Sequence, residues 1–338
     1  MADLKSSVIH FCAEIGNDSL LVQGAGGNVS WKEDGALWVK ASGTWLADAA
    51  TDNIFVPVDL NELQKAINAE NFSAKPTLIS QSDLKPSIET LLHALMPHPV
   101  VVHLHAIEIL AYLVRSNCEK ELASVLGDKV PWVIVDYFRP GAELAEAINN
   151  ALDGNRDTNV IFLKNHGVVI GGADINEIWG TLNQVTGSLR TRIVATPKTS
   201  ALFWDDSTPL EGYAFIGDKR LQQLAIDPEL FARLTQDWAL YPDHVVFLGP
   251  RANQYNSFDE LKDALSLTDN LPELVFVRDT GVLVTKAFGK AKIAQLRCYY
   301  DVLARQPQGA TLAPISSDDI SDLLNRDDEK HRMRFSKQ

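Results

Sequence analysis

Hydrophobic and polar positions divide this chain into short segments of two periods. Residues 2–15 carry Leu4, Val8, Phe11, Cys12 and Ile15 on one stripe, the spacing of an amphipathic helix. Short strands are predicted at 29–31 and 36–41, beyond a turn rich in glycine (Gly24, Gly26, Gly27). Residues 78–87 are polar and read as a loop. Ser87 then stands as the N-cap of a helix over 87–95, which Pro97 and Pro99 stop. The run Val100-Val101-Val102 predicts a strand over 100–105. Helices follow at 107–117 and 142–152. Two strands, 160–163 and 168–170, flank the turn Lys164-Asn165-His166-Gly167, and a long helix is predicted over 175–194.

Periodicity fades over 198–217, which separates a first domain (1–200) from an α/β extension (205–315). In the extension the pattern predicts a helix at 219–239, a strand at 245–248, a helix at 258–266, a strand pair within 274–284 and a helix at 290–304. The tail, 316–338, is dense in charge and is expected to be partly disordered. The segment 160–170 is echoed at 274–284, each being a strand, a turn and a strand before a helix. Thr280 stands in the second copy where His166 stands in the first, so histidine chemistry belongs to the first copy alone.

Composition narrows the function. A net charge of −13 argues against nonspecific nucleic-acid binding. Three scattered cysteines, Cys12, Cys118 and Cys298, form no metal-spaced pair or disulfide framework, which fits a reducing cytoplasm. No secretory leader is visible over 1–17. The most apolar window, 96–114, holds three histidines and a glutamate, so no membrane span is expected and the protein is read as soluble.

The chemistry-bearing residues fall into two groups. On a strand, His103 and His105 project from the same side, and two fixed imidazoles make half a metal site. The competing reading is a pair of core histidines making ordinary hydrogen bonds. His166 is a third candidate ligand, although turn histidines are common on surfaces. Glu89 lies at a helix start, where a carboxylate either favours the helix dipole or serves as ligand or general base. In the second group, Gly26-Gly27-Asn28 can present backbone N–H groups to an anion, with Lys40, Ser42 and Gly43 adding charge, hydroxyl and close backbone approach. Taken singly, each glycine segment reads first as a plain turn between strands.

The order of these pieces is informative. Gly27-Asn28-Val29-Ser30, Lys40-Ala41-Ser42-Gly43, Pro86-Ser87-Ile88-Glu89 with His93, His103-Leu104-His105-Ala106 and Asn165-His166-Gly167 together resemble the class II aldolase/adducin family over residues 5–200. Within it, Ser42-Gly43-Thr44-Trp45 and Tyr137-Phe138-Arg139-Pro140-Gly141 are most similar to the aldolase half of bifunctional rhamnulose-phosphate aldolase/alcohol dehydrogenase proteins. The resemblance implies a three-layer α/β/α domain with a mainly antiparallel sheet, followed here by the C-terminal α/β extension. It implies a divalent ion on His103, His105 and His166, zinc first and manganese, cobalt or nickel as alternatives. Glu89 would be the acid/base, and Gly27, Asn28, Lys40, Ser42, Gly43 and Ser87 would cradle a substrate phosphate. The implied reaction is retro-aldol cleavage of a phosphorylated or acidic sugar through a metal-stabilised enediolate. Tyr137 is the candidate acid toward the leaving aldehyde, and Arg139 a candidate anion contact. Family epimerases carry aspartate at the position of Glu89, and adducin-type heads lose the metal histidines. Epimerase or dehydratase chemistry and a non-catalytic adducin-like module are therefore the alternatives. A homo-oligomer, a tetramer by analogy, is implied as well.

Overall fold

In a computed structural model of the chain, residues 3–155, 157–194, 210–268 and 270–326 are described. Among them the first half builds one seven-stranded sheet from β1 (Asn28–Glu33), β2 (Ala36–Lys40), β3 (Phe55–Asp59), β4 (Val100–Leu104), β5 (Trp132–Val135), β6 (Val160–Leu163) and β7 (Gly167–Gly172). The order is β3-β2-β1-β4-β7-β6-β5. Every neighbouring pair is antiparallel except β5 and β6.

Alternation along β4 explains the layers. Val100, Val102 and Leu104 enter a core with α1 (Leu4–Gly16), α4 (Ile107–Leu113) and α7 (Ile175–Ser188). Val101 turns to the opposite face, against α3 (Thr90–Leu95) and α6 (Ala142–Leu152). A sheet covered by helices on both faces is the three-layer arrangement the resemblance implied. Also in this half are α2 (Leu60–Asn68) and α5 (Cys118–Leu126).

The second half carries a four-stranded sheet, β8-β11-β10-β9, from β8 (Tyr213–Phe215), β9 (Gln254–Tyr255), β10 (Leu274–Val277) and β11 (Gly281–Thr285). Its helices are α8 (Lys219–Ile226), α9 (Pro228–Gln236), α10 (Pro242–Leu248), α11 (Phe258–Ser266), α12 (Lys290–Leu303) and α13 (Ser317–Asn325). The echo at 274–284 extends well beyond a strand and a turn. β4-β7-β6-β5 and β8-β11-β10-β9 share strand order and direction. Asn165 and Asp279 take the same left-handed turn position, at φ 54° and 53°. Each N–H then reaches the end of the matching helix: Asn165 to Leu113 O at 3.1 Å, and Asp279 to Ala225 O at 3.0 Å. Strand register puts Phe215 and Gly217 where the first copy has His103 and His105. The second half thus repeats the β4–α7 half of the first without its histidines.

Several sequence expectations change. The helix expected over 219–239 breaks at Asp227-Pro228, because Pro228 begins α9 and Asp227 caps it, accepting from Glu229 N and Leu230 N. The strand expected at 245–248 is α10, a helix buried on all sides whose short apolar run carries no period of its own. Helix α4 ends at Leu113 and α5 restarts at Cys118, and α7 ends at Ser188. The segment after Ser316 holds α13, with Leu323 fully buried in the core of the second half, while residues 327–338 lie outside the described residues. The two halves share α4: Ile109 and Leu113 face the first core, Ile107 and Leu110 the second.

Candidate active site

Three histidines converge where β4 ends. His103 is on β4, His105 one residue past it, and His166 in the turn before β7. Among the described residues they form a cluster whose ligand atoms lie within 4.8 Å of one another. The turn holds because Gly167 has no side chain, since a Cβ there would stand 2.3 Å from Leu104 O. All three rings are buried, at 0%, 5% and 5% exposure.

The hydrogen bonding fits a metal centre. His103 Nδ1 donates to Val168 O at 3.1 Å, which leaves the Nε2 lone pair facing inward. His103 Nε2 and His105 Nε2 lie 3.2 Å apart. Two nitrogens each at about 2.1 Å from one tetrahedral ion are separated by roughly 3.4 Å. Burial holds the His103 imidazole below the usual range, keeping it neutral, against an opposing pull from Glu89.

Glu89 completes the cluster. It is the N-cap residue of α3, yet its side chain makes no cap hydrogen bond. Instead Oε1 lies 3.5 Å from His103 Nε2 and 3.3 Å from His166 Nε2. Among the described residues that buried oxygen has no hydrogen-bond partner, an orphaned acceptor that an ion or a substrate proton would satisfy. Ser87, expected as the helix N-cap, lies two residues before the observed cap and accepts from Glu89 N at 3.2 Å.

The residues expected to hold an anion border the same cleft. Gly27, Lys40, Ser42, Gly43 and Ser87 line it with Glu89, His105 and His166. Lys40 is buried at 3% exposure, and its Nζ donates to Ala25 O at 3.2 Å and to Thr44 O at 2.8 Å. Gly27 and Gly43 both have positive φ, 68° and 80°, backbone that glycine adopts without strain. Asn28 pairs with His103 across β1 and β4, and among the described residues neither amide atom of its buried side chain has a hydrogen-bond partner. Beneath it, Ser30 Oγ and His93 Nδ1 share a buried hydrogen bond of 2.8 Å.

Other expected residues lie apart from the cleft lining. Tyr137 packs against the core of the second half, and Arg139 pairs with Glu143 and Asp322 at the surface. From that neighbourhood Pro140 reaches the cleft. The sequence reading missed Pro242 and Asp243, which close the cleft from α10. Asp243 Oδ2 lies 3.4 Å from His105 Nδ1. No local signal marked it, because a single aspartate beside a short apolar run is unremarkable in sequence.

A family description, Class II Aldolase and Adducin N-terminal domain, matches residues 6–193. The chain belongs to this family. The L-fuculose phosphate aldolase of Methanocaldococcus jannaschii is 30% identical to this class II aldolase-type chain over 176 residues, covering 51% of it and 85% of the relative. The uncharacterized oxidoreductase YuxG of Bacillus subtilis is 29% identical over 174 residues, covering 47% of this chain and 25% of the Bacillus protein. The chain therefore spans only a quarter of that relative. Among solved structures, the N-terminal class II aldolase domain of a Thermoplasma acidophilum protein is 25% identical, with a TM-score of 0.48, over 56% of this chain and 92% of that domain. Among the described residues, no helix is long and apolar enough to cross a membrane.

Proposed function

We propose that this protein is a divalent-metal-dependent lyase that cleaves a phosphorylated or acidic sugar by a retro-aldol reaction. The observation carrying this reading is the orphaned Glu89 Oε1 beside His103 and His166, in one cleft with a buried lysine. His103, His105 and His166 would hold the ion, zinc in the first instance. Such an ion supplies Lewis acidity toward a substrate carbonyl. Glu89 would take the hydroxyl proton of the carbon that leaves as aldehyde and return it to the carbon from which that aldehyde departs. Gly27, Asn28, Lys40, Ser42, Gly43 and Ser87 hold the substrate's anionic end, Lys40 supplying charge and Asn28 two open hydrogen-bonding positions. Burial around the three histidines excludes water from this exchange.

The archaeal relatives named as fuculose phosphate aldolases support a ketose phosphate as the substrate class. The match to a quarter of a longer protein named an oxidoreductase accords with kinship to two-part aldolase/dehydrogenase chains. Three free, buried cysteines support a reducing, cytoplasmic setting, and a homo-oligomer is part of the same reading.

The test is turnover of a panel of ketose 1-phosphates by protein loaded with zinc, manganese or cobalt, followed by release of dihydroxyacetone phosphate. Two fragments per turnover, lost in His103→Ala, are expected. A single isomerised or dehydrated product would replace lyase by epimerase or dehydratase. A protein that retains no ion and turns over no sugar would overturn the reading and favour an interaction module.

A further inference from the structure

The second half departs from the first-half pattern at one place that matters for the site. In the first copy five residues, 127–131, join α5 to β5, whereas in the second the connection from α9 to β9 runs over 237–253 and contains α10. This insertion turns back onto the first half. It brings a carboxylate, 2% exposed, beside a metal-site histidine: Asp243 Oδ2 is 3.4 Å from His105 Nδ1. A second buried side chain holds that carboxylate. Gln295 on α12, also 2% exposed, donates from Nε2 to Asp243 Oδ2 at 3.2 Å and reaches Gln23 O at 3.4 Å. Gln23 in turn donates to His105 O at 3.4 Å. Gly26 leaves room for the approach, since a Cβ there would stand 3.1 Å from Asp243 Oδ2 and 3.2 Å from His105 Nδ1.

We propose that Asp243, held by Gln295, is a positioning residue for the metal site, orienting His105 so that its Nε2 faces the ion. The assignment rests on the proposed metal centre. His103 is fixed by a backbone carbonyl of its own domain, Val168 O, and His105 by a carboxylate from the repeated half. A carboxylate partner does more than a carbonyl. It sets the tautomer, makes the imidazole a stronger donor to the ion, and with Glu89 balances the two positive charges of a divalent cation. The second half, which lacks histidines at the matching positions, is on this view part of the metal centre through its one inserted helix.

Cobalt titration of the full-length protein tests this, read by chelator competition and by the visible d–d spectrum. Asp243→Asn keeps the volume and removes the charge. It is expected to weaken cobalt affinity by roughly 10- to 100-fold and to alter the spectrum, with the urea midpoint of the metal-free protein kept near wild type. Gln295→Leu leaves Asp243 in place and releases it, so a smaller loss of affinity in the same direction is expected. Wild-type protein that binds no cobalt overturns the metal centre, and this assignment with it. Wild-type binding with unchanged affinity and spectrum in both variants overturns the role of Asp243 alone.

Discussion

Asn165 and Leu240 are joined by a hydrogen bond of 2.9 Å from the Asn165 side-chain amide to the Leu240 carbonyl. The same amide also donates to Ala313 O at 2.7 Å. Asn165 precedes His166, so the residue beside a proposed metal ligand is tied twice to the second half of the chain. Its φ of 54° suits asparagine, which tolerates the left-handed region better than most residues. Asn165→Asp replaces a donor by a charged acceptor facing one buried and one part-buried carbonyl. Each unmatched group costs about 1–3 kcal/mol, so a loss of several kcal/mol is expected in urea denaturation, with weaker cobalt binding. Wild-type stability in the variant would show that the two bonds contribute nothing net.

Glu89 and the histidines separate by readout. His103→Ala removes an imidazole that nothing nearby replaces, and loss of both bound ion and turnover is expected. Glu89→Gln keeps the three imidazoles and the side-chain volume but removes the group proposed to exchange the proton. Turnover is expected to fall by about 10²- to 10⁴-fold while the ion is retained, checked by kcat alongside metal content. A glutamine variant with undiminished kcat would leave Glu89 as a structural neighbour only.

The parts of this site legible in sequence are those carried by short contiguous motifs. His103-Leu104-His105 on a β-branched run predicts two rings on one side, and β4 is observed at Val100–Leu104, so His103 lies on the strand and His105 one residue past its end. Helix α6, observed at Ala142–Leu152, matches its predicted bounds because its apolar stripe is regular. Asp243 was illegible for the opposite reason. It lies on α10, seven buried residues whose apolar run reads equally as strand or helix, and its partners His105 and Gln295 meet it only in the fold. β3, β5, β8 and β9 went unread because two to five residues carry too little alternation to count. In sequence the repeat is visible only as the strand–turn–strand echo of 160–170 at 274–284. Asn165 and Asp279, each two positions before a glycine, take the same positive-φ place in its turns.

Gly167 gives a sharp steric test. The atom that a Cβ would meet at 2.3 Å is the backbone oxygen of Leu104, between His103 and His105, and β4 lies beside β7 at that point. That oxygen is backbone and cannot swing aside, and the His105 ring stands next at 3.1 Å. Gly167→Ala is expected to cost about 1–3 kcal/mol in thermal or urea unfolding and to displace His166 from its partners, lowering cobalt affinity as well. Unchanged affinity with lowered stability would place the strain in the sheet and leave the metal centre intact.

His244 predicts a pH dependence of the second half. It is fully buried beside Trp238 and Tyr299, with ring centroids at 4.3 and 4.5 Å. Burial pushes its imidazole down to about 3. The unfolded chain takes up a proton near pH 6.5 that the folded chain refuses until about pH 3, so between those values the unfolded state binds more protons. This contribution to stability is therefore full above pH 6.5 and falls with pH, by up to about 1.4 kcal/mol per unit. His244→Gln removes the titrating group and some ring packing. It is expected to be less stable than wild type at pH 7, and to lose about 2 kcal/mol less than wild type between pH 7 and pH 5. Urea midpoints at the two pH values measure the difference, and parallel losses in both proteins would assign the acid sensitivity to other groups.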